Sequence, residues 1–310
     1  LLAKVETYLK QYSLARGMKI VVTIPAYNEE KTIGTVLEKV HEAMKSNSYN
    51  YEVLVVDDGS KDNTVEIAKK AGAVVFSHPR NYGLAETFKT EIKKSLQMGA
   101  DIIVHIDADS QYQPIETPKM IKEINNGYDL VLGSRFKGQI ESMPAIKKIG
   151  NKAFSKVISN ISGIKISDAQ TGFRAFTREV AEKIRITSNH TYTQEQIIRA
   201  VREKFKIKEI PVYFAKRDGK SRLMSNPFSY ALRAWINLIR IYRDYEPLKF
   251  FGIFGTVIFG FGFLIGLYLV YLHFTSGIVG HLGLMMMDML ILSIGLQIII
   301  FGFIADMLKR

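Results

Sequence analysis

Two aspartates two positions apart, Asp107 and Asp109, stand with Gln111 at the end of the apolar run DIIVHID, residues 101–107. Along a continuing strand such carboxylates would point to opposite faces. Where the strand ends and the chain turns, both can converge on one hard cation, with the amide oxygen of Gln111 as a further ligand. Mg²⁺ and Mn²⁺ take oxygen donors and leave positions open for substrate phosphates. A bare pair of this kind is usually a solvated turn, but Asp57 and Asp58 close a neighbouring apolar run and would share its crevice. Positive groups follow in Gly133-Ser134-Arg135, in the run from Gln170 to Arg174, and in Gly219-Lys220-Ser221-Arg222. Arginine forks suit phosphates, and a short glycine–serine loop lets a backbone approach them. Together they point to a second phosphate site, distinct from the metal-held one. The chain has no cysteine, which excludes disulfides, thiolate metal sites and cysteine nucleophiles.

These side chains need elements that bring them to one place. Apolar runs at 19–25, 51–57, 73–77, 101–107 and 128–133 alternate with segments of helical spacing at 31–44, 64–71, 85–97 and 114–125. That alternation predicts an α/β domain, a mostly parallel sheet with helices on both faces. Ligands bind beyond the carboxyl ends of such strands. Tyr27, Asn28 and Glu29 follow the first run, Asp57 and Asp58 the second, and Asp107 and Asp109 the fourth, so all should line one crevice.

After Arg135 the alternation weakens and the charge changes. Residues 1–134 hold 16 Lys/Arg against 18 Asp/Glu, whereas 135–249 hold 24 against 10. Two amphipathic segments, 145–162 and 227–243, carry apolar stripes (Phe154 and Ile158; Trp235 and Ile239) beside lysines and arginines, a pattern suited to a membrane interface. Residues 250–274 contain no charged side chain, and 282–305 contain one, Asp288, which is expected to reach water near the loop. Gly262 and Gly266 form a GxxxG pair, a hint of helix packing. Lys249 and the arginines before it flank the first segment, Lys309 and Arg310 end the second, and the loop between has neither Lys nor Arg. The positive-inside rule then places both hairpin ends and the polar domain in the cytoplasm of a cell membrane crossed twice. This position argues for lipid rather than nucleic acid as the partner of a chain with net charge +12. The expected organisation is an N-terminal extension over 1–17 (native or a cloning remnant, with no signal peptide), a catalytic domain over 18–226, an interfacial helix over 227–247 and a transmembrane hairpin over 248–310.

The ordered motifs resemble a known family. Ile24-Pro25-Ala26-Tyr27-Asn28-Glu29-Glu30, Val56-Asp57-Asp58-Gly59-Ser60 and Asp107-Ala108-Asp109-Ser110-Gln111 resemble inverting nucleotide-sugar glycosyltransferases of the GT-A fold. Gly133-Ser134-Arg135, the run from Asp168 to Arg174 and Gly219-Lys220-Ser221-Arg222 narrow the resemblance to the polyprenyl-phosphate branch, nearest the archaeal dolichyl-phosphate mannose synthases with a membrane hairpin. Ser110 departs from the leucine or phenylalanine usual before that glutamine. The resemblance implies transfer of mannose from GDP-mannose to dolichyl phosphate with inversion. It implies donor contacts from Pro25, Tyr27, Glu29, Val56, Asp57, Asp58, Asp107, Ala108, Asp109, Gln111, Lys220 and Arg222. It also implies Mg²⁺ or Mn²⁺ on Asp107, Asp109 and Gln111, an acceptor-phosphate site of Ser134, Arg135 and Arg174, and catalytic roles for Asp109 and Arg135. Asp58 and Arg174 could instead brace loops. A UDP-glucose-dependent glucosyltransferase is the nearest alternative, and a membrane-anchored nucleotide-sugar binding protein without turnover is the alternative of another class. A processive polysaccharide synthase is discounted because Trp235, the single tryptophan, lies outside a QxxRW motif.

Overall fold

The computed structural model describes residues 17–187, 192–216, 236, 239–276 and 282–308. The chain divides into two compact units, Leu1–Pro227 and Phe228–Arg310. In the first, strands β1 (Lys19–Ala26), β2 (Asn50–Asp57), β3 (Val74–Ser77), β4 (Ile102–His105), β5 (Leu130–Ile140), β6 (Arg174–Thr177) and β7 (Ile207–Phe214) form one sheet in the order β3-β2-β1-β4-β6-β5-β7. Every pairing is parallel except those of β6, which runs antiparallel to β4 and β5. Strands as uniformly apolar as β1 and β4 are buried along nearly their whole length, because helices cover both faces.

Those helices are α1 (Ile33–Ser46), α2 (Thr64–Lys70), α3 (Leu84–Gln97), α4 (Thr117–Asn125), α5 (Ala145–Ser162), α6 (Arg178–Lys183) and α7 (Thr193–Arg202). On α1 the buried set Ile33, Val36, Leu37, Val40 and Met44 keeps the three- and four-residue spacing that turns one stripe to the sheet. The expected α/β alternation is observed through residue 133, with two differences that matter for the site. Strand β4 stops at His105, so Asp107 and Asp109 both lie beyond it, in a turn. Strand β5 runs on to Ile140, past Arg135. The weakly patterned region supplies β6, α7 and β7, which complete the sheet.

The interfacial assignment of the 145–162 stripe is corrected in part. Phe154 and Ile158 are 4% and 0% exposed and pack inside the first unit, where α5 meets α7. They are core residues and cannot insert into a membrane. The second amphipathic segment, 227–243, lies largely outside the described residues.

In the second unit α8 (Pro247–Ser276) and α9 (Leu282–Met307) pack on one another, and both are long and apolar enough to cross a membrane. Their contact runs along small residues: a Cβ at Gly295 would fall 2.6 Å from the backbone nitrogen of Phe259, and one at Gly255 2.8 Å from the carbonyl oxygen of Gly295. The buried positions of α9 are Asp288, Gly295 and Gly302, a seven-residue repeat of the kind that keeps a seam facing its partner. Asp288 therefore does not reach out to water as expected. It is 8% exposed, and its Oδ2 lies 3.2 Å from where a Cβ of Gly266 would be.

Candidate active site

Beyond the carboxyl ends of β1, β2 and β4 a crevice of about 400 Å³ is lined by Pro25, Tyr27, Glu29, Asp58, Asp107 and Asp109, among others. Two loops form its floor and are latched to each other. Asn28 takes a left-handed conformation (φ 53°), which lets its backbone N–H donate to Ser60 Oγ at 2.8 Å while its Oδ1 accepts from the Lys61 N–H at 2.8 Å. The Glu29 N–H donates to Thr64 Oγ1 at 2.8 Å in the same seam. Gly59, at φ 78°, sits so close to the backbone of Arg80 that a Cβ would lie 2.7 Å from its carbonyl carbon. Sequence-distant loops are thus fixed around Tyr27 and Glu29.

The acidic pair is placed by a turn whose Ser110 is also left-handed (φ 60°). The Gln111 N–H donates to Asp109 Oδ1 at 3.2 Å, and the Gln111 amide Nε2 donates to the Ala215 carbonyl at 3.2 Å. Gln111 is buried behind the turn and is not among the residues that line the crevice. Burial, and then the charge of Asp109, push Asp107 up to about 6. A carboxylate whose proton affinity is raised by a second carboxylate beside it belongs to a donor set suited to a hard divalent cation. Among the described residues no three His, Asp or Glu side chains form a closed metal cage. An open set of this kind leaves coordination positions for a ligand. Gly172 supplies the second half of the fit: a Cβ there would collide with the Asp107 carboxylate, so that carboxylate rests directly on the backbone.

The positive residues divide into those near the ligand space and those that brace the fold. Arg135 is 5% exposed and forms a fork with Asp168, Nε to Oδ2 at 2.7 Å and Nη2 to Oδ1 at 2.8 Å. Its backbone N–H also donates to Asp168 Oδ2 at 3.0 Å, which fixes the guanidinium against that buried carboxylate, and Arg135 is not among the residues that line the crevice. Ser134 is fully enclosed, with its hydroxyl 2.7 Å from Ser167 Oγ, and in this arrangement touches no ligand space. Arg174 is corrected from acceptor contact to brace. It is fully buried, and its guanidinium donates to the carbonyls of Thr171, Thr193 and Ala169 and to the Gln196 amide oxygen.

Asp58 lines the crevice but is also a brace, accepting from the Tyr82 and Gly83 N–H groups at 2.9 and 2.8 Å and bonding His78 Nδ1 at 2.8 Å. Asp57 accepts from the Ser60 N–H at 3.0 Å and is buried, as is Val56, while Ala108 lines the crevice. Lys220 and Arg222 lie outside the described residues. Sequence reasoning missed Asn81, Leu84 and Thr87, which complete the crevice wall, and a buried cluster of Glu91, His105 and Tyr192 beneath Asp107. A histidine inside an apolar strand was the one available signal for that cluster.

Residues 21–185 match the family model described as glycosyl transferase family 2. The chain is 35% identical to a dolichyl-phosphate hexose transferase of Haloferax volcanii, over 68% of this chain and 88% of that protein. It is 27% identical to a polyprenol monophosphomannose synthase of Mycolicibacterium smegmatis, over 69% of this chain and 84% of that protein. Among solved structures it resembles glucosyl-3-phosphoglycerate synthase from Mycobacterium tuberculosis in complex with Mn²⁺, UDP and glucosyl-3-phosphoglycerate. That likeness has a TM-score of 0.58 at 18% identity and covers 74% of this chain and 82% of that one, which shows a shared fold.

Proposed function

The chain belongs to glycosyl transferase family 2, and from that membership we propose that it transfers mannose from GDP-mannose to dolichyl phosphate with inversion, releasing GDP. The observation that carries this reading is the presence, in one chain, of an acidic crevice fit for a nucleotide diphosphate and a pair of helices long enough to cross a membrane. A water-soluble donor and a lipid acceptor need both. Relatives named for dolichyl- and polyprenyl-phosphate substrates support the acceptor class.

Pro25, Tyr27 and Glu29 receive the nucleoside, with Asp57 and Val56 holding the loop behind them. Asp107, Asp109 and the Gln111 oxygen would hold Mg²⁺ or Mn²⁺, which when bound neutralises charge on the leaving diphosphate. The acceptor needs little general-base help, since a phosphate monoester is largely dianionic above its second pKa of about 6. It needs alignment with the anomeric carbon and relief of repulsion between two anions. The Arg135 guanidinium, held by Asp168, would serve that role, with Lys220 and Arg222 adding positive charge.

The test is incubation of the full chain with labelled GDP-mannose or UDP-glucose, dolichyl phosphate and Mg²⁺ or Mn²⁺. Labelled lipid from GDP-mannose is expected. Labelled lipid from UDP-glucose alone would reassign the sugar, and donor binding without any labelled lipid would make the chain a nucleotide-sugar binding protein. Asp109→Ala should lose divalent-dependent turnover while retaining its fold, and full activity of that variant in EDTA would remove the metal from the mechanism.

A further inference from the structure

Three polar side chains from three elements meet beneath the acidic turn, in a place the fold could have filled with apolar ones. Glu91 on α3 is 1% exposed, His105 at the end of β4 is 0% exposed and Tyr192 before α7 is 2% exposed. A hydrogen bond of 2.7 Å joins Glu91 Oε2 to His105 Nδ1, and another of 2.7 Å joins His105 Nε2 to the Tyr192 hydroxyl. Thr23 on β1 donates to the same Glu91 oxygen at 3.4 Å. The rings are locked as well: Phe88 stacks on Tyr192 with centroids 3.9 Å apart and meets His105 edge-on at 5.2 Å. An imidazole bonded at both nitrogens and packed by two aromatics has no rotation left. Its Nε2 edge lies 3.8 Å from Asp107 Oδ1.

The Asp107 carboxylate therefore has a fixed wall on each side. One is the His105 edge, and the other is the Gly172 backbone, itself held by its N–H bond of 3.1 Å to the Tyr112 hydroxyl. Stability alone does not account for the polar wall. A buried ionic or polar group is often replaced by apolar residues of similar volume at no loss, and Glu91 Oε1 has no hydrogen-bond partner among the described residues. A group that gains little for the fold yet abuts the first carboxylate of the acidic pair acts on that carboxylate.

We propose that His105, held by Glu91 and Tyr192, is a positioning residue that sets where the Asp107 carboxylate meets the divalent cation. This inference rests on the metal reading above. The cation needs its ligands placed to within a few tenths of an ångström, and small errors in such a shell weaken it by ten- to a hundredfold.

The experiment titrates Mn²⁺ alone into the detergent-solubilised full chain, follows free Mn²⁺ by electron paramagnetic resonance, and records thermal unfolding of the same samples. Two variants are compared with the parent: Tyr192→Phe, which removes one hydroxyl and keeps the ring stack, and the double variant Glu91→Met, His105→Leu, which replaces the polar pair beneath Asp107 by apolar side chains. The expected result is Mn²⁺ binding weakened about tenfold in both, with a melting temperature lowered by only a few degrees in each, since each leaves one buried polar atom unpaired. Should the double variant not fold, Tyr192→Phe decides alone. Mn²⁺ affinity within twofold of the parent overturns the inference and leaves the metal reading intact. A parent protein that binds no Mn²⁺ removes both, and an Asp107→Asn control that binds as the parent does moves the metal elsewhere.

Discussion

Gly172 shows how a residue without chemistry of its own can set the chemistry of another. A methyl group there would strike the carboxylate of Asp107, and the backbone at this glycine is not left-handed, so alanine meets no conformational penalty. Gly172→Ala should therefore fold with a near-parental melting temperature and lose transfer activity about a hundredfold, the scale for a reacting group moved by an ångström. Circular-dichroism melting beside the labelled-lipid assay checks it, and an active Gly172→Ala enzyme would mean that Asp107 is free to shift. Arg135 calls for a different substitution. Truncating it to alanine would strand Asp168 in a buried site at a cost of about 3–5 kcal/mol, so lost activity would say nothing about the acceptor. Arg135→Lys keeps the charge and should impair transfer more than donor binding, because a lysine cannot pair with Asp168 as a fork and still present a donor to the phosphate. At this scale the acidic pair and the Ile24–Glu30 and Val56–Ser60 motifs were legible, since their members lie within a few positions of each other. The Glu91–His105–Tyr192 cluster was not, because its bonds span 14 and 87 residues and each member looks like an ordinary helix, strand or loop residue.

The helix α5 shows what periodicity can and cannot say about an element. Its apolar spacing announced a helix with a buried stripe, and that is observed. Whether the stripe meets protein or lipid depends on what packs against it, and α7, which covers it, comes from a region with no clear signal in the chain. Phe154 and Ile158 are inside, whereas Ile146 and Ile149 are 40% and 68% exposed, beside exposed Lys148, Lys152 and Lys156. If α5 docks on a membrane, it does so through this outer face. Replacing Ile146 and Ile149 with Asp should leave the melting temperature within a few degrees and reduce use of long-chain dolichyl phosphate in vesicles severalfold. A short, water-soluble prenyl phosphate should be used as before. The same change at Phe154 and Ile158 should unfold the first unit, since losing a buried phenylalanine alone costs about 3–5 kcal/mol. Equal losses on both acceptors from the outer-face variant would remove the docking role. The strands β6 and β7 escaped for a related reason: β6 is four residues long, and β7 carries Pro211 and alternating exposure instead of a continuous apolar run.

Across the whole molecule the charge is segregated as sharply as the hydrophobicity. No Lys or Arg occurs between Lys249 and Lys309, while the 135–249 region carries more than twice as many Lys/Arg as Asp/Glu. A dolichyl chain must stay in hydrocarbon, because each CH₂ drawn into water costs ~0.8 kcal/mol, and its phosphate must be met at the membrane surface where the nucleotide sugar is present. Basic residues flanking a hairpin favour the side on which they are synthesised, which predicts the start of α8 and the end of α9 on the cytoplasmic side and the segment that joins the two helices on the other. The absence of cysteine makes this directly measurable, since any single cysteine introduced is the only thiol in the chain. Thr275→Cys sits at the exposed far end of α8, and Lys137→Cys lies on an exposed part of β5. In intact cells a membrane-impermeant maleimide should label the first and leave the second unmodified until the cells are lysed. The opposite pattern would invert the topology and put the crevice on the side away from the cytoplasmic pool of nucleotide sugars. Labelling of both in intact cells would mean that the two long helices do not cross the bilayer as a hairpin, and the apolar seam through Gly255, Gly295 and Gly302 would then have to serve a helix pair lying at the membrane surface.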